Sequence, residues 1–206
     1  MGKIKSALEI ALERTESIKT DKASVGLFEA RQQGKRLAND YLSNPSTSLE
    51  TELKKCPQDQ RESLMQGLFD VLAPQINLPN TAEDLPRIEA AGKGLCLLIN
   101  EKAPKEGGRF NAMIKQLVQL LSNYLNEATQ FDQAIRQQYA PKLRQKEEEL
   151  SRRMGREVRI DPFQDPEFVN FYNQNFNALK ANYQVPVDQV REEAYLLFDN
   201  SNSNGR

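Results

Sequence analysis

Residues 110–135 read FNAMIKQLVQLLSNYLNEATQFDQAI, and within them Phe110, Ile114, Leu117, Leu121, Tyr124, Ala128, Phe131 and Ile135 follow at intervals of 4, 3, 4, 3, 4, 3 and 4. Alternating steps of four and three hold one apolar seam on one side of a helix, the a/d pattern of helices that pack lengthwise. The spacing goes on as Tyr139, Leu143, Lys146, Leu150 and Met154. Pro141 predicts a kink or local unwinding there, because an interior proline removes an i to i−4 hydrogen bond. A helix from just after Gly107-Gly108 to Met154 is on the order of 70 Å long at ~1.5 Å per residue. Such a helix needs a partner along its length.

The sequence downstream supplies one. Gly155 ends the helix and Asp161-Pro162-Phe163-Gln164-Asp165-Pro166 turns the chain, with Asp165 as N-cap and Pro166 as first helical residue. Phe168, Val169, Tyr172, Phe176, Leu179 and Tyr183 then form a new stripe. Val185-Pro186 predicts an interruption before a last helix over about Val187 to Phe198. The expected result is a long antiparallel coiled-coil-like hairpin over 107–199, followed by a polar, disordered tail at 200–206. Lys142 to Arg159 holds seven basic residues against four acidic, a net of +3, and 160–206 holds seven acidic against three basic, a net of −4. Opposite strips of charge are expected to meet along the hairpin.

Upstream, residues 1–106 read as an N-terminal helical subdomain. One helix is expected from Ile4 to Ile18 and a second, more polar one from Lys22 to Tyr41, ending at Asn44-Pro45-Ser46. Ser48 is placed to cap Leu49 to Lys55, Pro57 to open a segment carrying Leu64, Met65, Leu68, Phe69 and Leu72, and Thr81 to precede an acidic first turn, Glu83 and Asp84. No segment shows several cycles of polar/apolar alternation, so the fold class is all-α.

Composition narrows the chemistry. Hydrophobic residues make up 38% of the 206, and 28 Lys+Arg nearly balance 29 Asp+Glu, so no global field selects a polyanion or an anionic membrane. The chain has no histidine, which excludes Ser-His-Asp and Cys-His nucleophiles and the usual His-containing zinc sites. Cys56 and Cys96 stand forty positions apart and make neither a CxxC pair nor a framework of several bridges. Cys96, in the run Leu95 to Ile99, reads as a small buried hydrophobe. The N-terminus shows no signal peptide, and Gly2 with Ser6 fits a myristoylation pattern only loosely. No window spans a bilayer. The expectation is a cytoplasmic protein with no cofactor and no catalytic constellation.

Several groups invite a functional reading. Lys142, Arg144, Arg152, Arg153, Arg156 and Arg159 offer phosphate contacts, but Glu148 and Glu149 stand four residues before Arg152 and Arg153, as on a solvated helix. Asp161, Asp165 and Glu167 gather three carboxylates without the spacing of an EF-hand, and capping accounts for both aspartates. Gly92-Lys93-Gly94 lacks the rest of a Walker A motif. Phe171 falls off the stripe 168, 172, 176, 179 and is expected as an exposed aromatic at a partner contact.

The stretches Ile4 to Thr15 (IKSALEIALERT), Tyr139 to Leu150 (YAPKLRQKEEEL) and Asp165-Pro166-Glu167-Phe168 resemble a family of uncharacterised, helical bacterial proteins. The resemblance implies a bacterial, cytoplasmic origin and brings no activity, cofactor or catalytic residue. The leading expectation is a non-enzymatic interaction or scaffold protein, engaging another protein or a second copy of itself through the hairpin. The alternative is nucleic-acid binding through 142–159.

Overall fold

The computed structural model describes residues 7–44 and 48–200, with side chains from Ser24 to Asn44 and from Ser48 to Asp199. The described residues are all-α: α1 (Ala7–Ser43), α2 (Leu49–Lys55), α3 (Gln58–Leu72), α4 (Leu85–Lys102), α5 (Pro104–Met154) and α6 (Pro166–Asn200), with 3-10 turns at Ala73–Gln75, Ala82–Asp84 and Pro162–Gln164. None of these helices is long and apolar enough to cross a membrane. Gly2, Ile4, Ser6 and the tail 201–206 lie outside the described residues.

Three boundaries differ from expectation, each for a physical reason. The two helices expected over 4–18 and 22–41 are one, α1; Lys19, Thr20 and Asp21 contain no glycine or proline to stop it. α5 begins three residues before Gly107, because Pro104 is pre-organised for the first helical position. α6 runs through Pro186 to Asn200 without the expected interruption, and α5 stays helical through Pro141 to Met154, where its end was expected. Gln137 and Asn182, whose carbonyls lose their partners to these prolines, are both exposed, where solvent can take the place of the missing donor. The expected caps form: Ser48 Oγ accepts from Thr51 N–H at 3.3 Å, Thr81 and Asp84 make a capping box, and Gly155 closes α5 with φ 66°.

One large apolar core joins Tyr41 of α1, Leu53 of α2, Phe69 of α3, Leu95 of α4, the first half of the α5 seam and the last three turns of α6. Burial of each large side chain contributes about 1.5–3 kcal/mol relative to exposure. Phe69 stacks on Phe198 with centroids 4.1 Å apart. Lys102, at the end of α4, hydrogen-bonds Glu62 and the Phe198 carbonyl and lies 3.8 Å over the Phe198 ring. It thereby holds the last turn of α6.

Small residues set the closest helix contact. α1 and α3 run in the same direction, Gly26 beside Gln60 and Arg31 beside Asp70 at 2.8 Å. Where the two helices come closest, a Cβ on Gly34 would meet the Leu64 carbonyl, and one on Gly67 the Arg31 carbonyl. Only glycine permits that approach. In α4, Gly92 faces Ile114 and Gly94 faces Leu72. Gly92-Lys93-Gly94 is therefore helix interior, not a loop that cradles phosphate.

α5 and α6 pack antiparallel. Arg109 meets Glu193 at 3.0 Å, Tyr124 meets Tyr183 at 5.1 Å between centroids, and Lys146 meets Asp165 at 2.7 Å. Of the seam, Phe110, Ile114, Leu117, Leu121, Tyr124 and Ile135 are buried, and Ala128 and Phe131 are half-buried. Away from the main core a second, smaller cluster of Ile135, Tyr139 and Phe168 forms, with Phe131, Leu143, Phe171 and Tyr172 against it. This distal part of the helix pair is called the arm below.

Candidate functional site

Lys146 occupies a seam position, so its charge points where an apolar side chain is expected, and the arm supplies partners for it. Its Nζ donates to both oxygens of Asp165, at 2.9 and 2.7 Å, and to Glu167 Oε2 at 2.7 Å. Tyr139 Oη donates to Asp165 Oδ2 at 2.9 Å, and Lys142 pairs with Glu167 at 2.9 Å. Asp165 is only 6% exposed, yet it also accepts Glu167 N–H at 3.1 Å as the cap of α6. Burial works to raise the Asp165 pKa, but the bonds from Lys146, Tyr139 and the Glu167 amide together hold it below the usual range. Hydrogen bonds from Lys146 and then Lys142 lower Glu167 to about 2, and the bond to Asp165 raises Lys146. The network ties the start of α6 to α5.

Aromatic rings surround this network. Phe168 is fully buried and lies edge-on to Tyr139 at 5.1 Å and to Phe163 at 5.3 Å. Phe163, 46% exposed, carries the Arg136 guanidinium 4.9 Å from its ring centre.

Past this network, called the elbow below, α5 runs on to Met154 and the chain folds back along it. Val158 N–H donates to Ser151 Oγ at 2.9 Å and Ile160 N–H to Glu147 Oε1 at 2.9 Å. A groove of about 620 Å³ lies between α5 and the returning segment, with Arg144 and Arg152 on one wall and Arg159 on the other. Leu150 and Met154 continue the seam but are 37% and 53% exposed.

Residues 50–195 match DUF6657, a family of unknown function. The chain belongs to this family. The DUF6657 match runs from α2 into the last turns of α6 and so includes the elbow network and the whole arm, while α1 lies before it. No curated protein and no solved structure matches the chain.

Within this DUF6657 chain the residues singled out from sequence do not form one site. Lys142 belongs to the elbow network. Arg144, Arg152 and Arg159 line the groove, where Arg159 pairs with Glu157 at 3.2 Å. Arg153 pairs with Glu149 at 2.5 Å as its spacing predicts, whereas Glu148 and Arg152, at the same spacing, form no pair. Arg156 is exposed beyond Gly155. Phe171 is half-buried, not exposed: it packs on the small cluster with its ring 6.0 Å from Tyr139, and nearby it is Phe163 that is exposed. Asp161 caps the 3-10 turn by accepting Phe163 N–H at 3.0 Å. Asp165 and Glu167 are held by lysines, so the three carboxylates make no common cation site. Cys96 is half-buried, and burial pushes its thiol up to about 11, which leaves the nucleophilic thiolate scarce at neutral pH.

Sequence reasoning named every member of the elbow without bringing them together. The available signal was Lys146 itself: a cation on an apolar stripe requires an acid opposite, and Asp165 and Glu167 are the carboxylates at the start of the helix that returns along it.

Proposed function

We propose that this is a non-enzymatic interaction protein that engages a partner protein through the distal end of its arm, in a cytoplasmic setting. The observation that carries the reading is that the seam outruns its cover. Leu150 and Met154 stand exposed past the point where α6 begins, on an arm whose elbow is secured by a polar network around buried Asp165. An exposed apolar seam beside a set of arginines has the composition of a protein contact.

The test is partner capture from native extract, with and without nuclease, comparing the wild type with a Leu150→Ser, Met154→Ser variant of unchanged helix content. A stoichiometric, nuclease-resistant partner that the variant loses is expected. An unchanged set of partners overturns the reading.

A second reading, nucleic-acid binding, is favoured by one observation: Arg144, Arg152 and Arg156 have no acidic partner among the described residues. It requires affinity for an oligonucleotide that falls steeply with salt and weakens in Arg144→Gln, Arg152→Gln and Arg156→Gln.

A further inference from the structure

The groove at the end of the arm has fixed walls and an uneven charge pattern. Two main-chain amides, Val158 and Ile160, are bonded to Ser151 and Glu147, which holds the returning segment against α5. That use engages Glu147, and Glu157 is engaged with Arg159. Among the described residues, Arg144, Glu148 and Arg152 are the groove's charged side chains with no hydrogen-bond or ion-pair partner, and Glu147 keeps its charge beside its bonded amide.

These three stand at i, i+4 and i+8, so they share one stripe of the helix, positive, negative, positive. Arg144 and Arg152 are about 12 Å apart along the axis at ~1.5 Å per residue. Four residues of an extended peptide cover about 13 Å at ~3.3 Å each. Acidic residues four apart in such a peptide therefore reach both arginines and leave the positions opposite Glu148 neutral. A nucleic-acid strand cannot leave that gap, because it carries a charge at every phosphate.

From this pattern we propose that the groove binds an extended acidic segment of a partner protein, with carboxylates spaced four residues apart on Arg144 and Arg152 and an uncharged residue facing Glu148. This rests on the reading of the arm as a protein-binding element and names the chemistry of its partner.

The experiment is fluorescence anisotropy on the full chain, using a labelled peptide with glutamate at every fourth position among glycine and serine, and a single-stranded oligonucleotide as competitor. Saturable, salt-sensitive peptide binding is expected. Arg144→Gln with Arg152→Gln weakens it by about tenfold or more, as loss of charge-assisted bonds requires. Glu148→Gln, an exposed change that leaves the helix intact, tightens it several-fold. The proposal is overturned by absence of peptide binding, by affinity unchanged in the double variant, or by an oligonucleotide that binds more tightly than the peptide. If partner capture still depends on Leu150 and Met154 while the arginine variants leave peptide affinity unchanged, the groove proposal fails and the reading of the arm stands. If capture is independent of the arm's end, both fall.

Discussion

Gly67 shows how much one missing methyl group governs. Its Cα lies where a Cβ on Gly34 would come within 3.1 Å, and its own Cβ would run into the Arg31 carbonyl. Backbone cannot move aside as a flexible side chain does. Gly67→Ala is therefore expected to destabilise the protein by about 3 kcal/mol or more, whereas Gly108→Ala, exposed in α5 with nothing within 4 Å of the new Cβ, stabilises by about 0.5–1 kcal/mol. Urea denaturation of the two variants measures both. Gly34 was illegible in sequence for a simple reason: it sits among Arg31, Gln32, Gln33, Lys35 and Arg36, and a close approach through absent side chains leaves no apolar periodicity. The elbow carries a pH signature instead. The Glu167 pKa lies at about 2, below its ordinary 4.5, so its contribution is present above that ordinary value and is lost as pH falls through the lowered one. Asp165 is shifted in the same direction. Near-ultraviolet dichroism of the elbow tyrosines should change between about pH 4.5 and pH 2, and Glu167→Gln should diminish that change. An acid profile identical in the variant counts against the network.

At the scale of elements, the helical seam was legible because periodicity survives any partner. Pro186 was not. It reads as an interruption when taken as a local rule, but the carbonyl it strands belongs to exposed Asn182, and packing on both sides carries the helix past it. Pro141, read as a kink or local unwinding, lies within a continuous α5. The missing bond still weakens α5, so Pro141→Ala should raise stability by about 1 kcal/mol, the restored hydrogen bond outweighing the freer unfolded chain. Thermal unfolding checks the sign; a lower Tm refutes it. The seam's two covers should also separate in hydrogen exchange. Amides in 110–124, within the main core, are expected to exchange only at the rate of global unfolding, and those in 143–154, beside the small cluster, to exchange faster through local opening. Equal protection along α5 would contradict that division.

For the molecule as a whole, the class of fold was readable because helical spacing recurs nearly everywhere. The way the parts share a core was not, since nothing in the sequence says that Val187 to Phe198 returns to pack with Phe69 and Leu95. That return makes α5 and α6 each a single continuous helix anchored in the main core at one end and joined at the elbow towards the other. Because α5 is continuous from Pro104 to Met154, the arm is a spacer of set length. Tyr124 to Met154 is thirty residues, about 45 Å of rise. Seven residues added at facing points of α5 and α6 would move the tip outward by about 10 Å with almost no rotation, whereas five would swing the groove nearly 140° around the axis. The direction in which the arm presents its arginines is thus as much a property of helix length as of the arginines themselves.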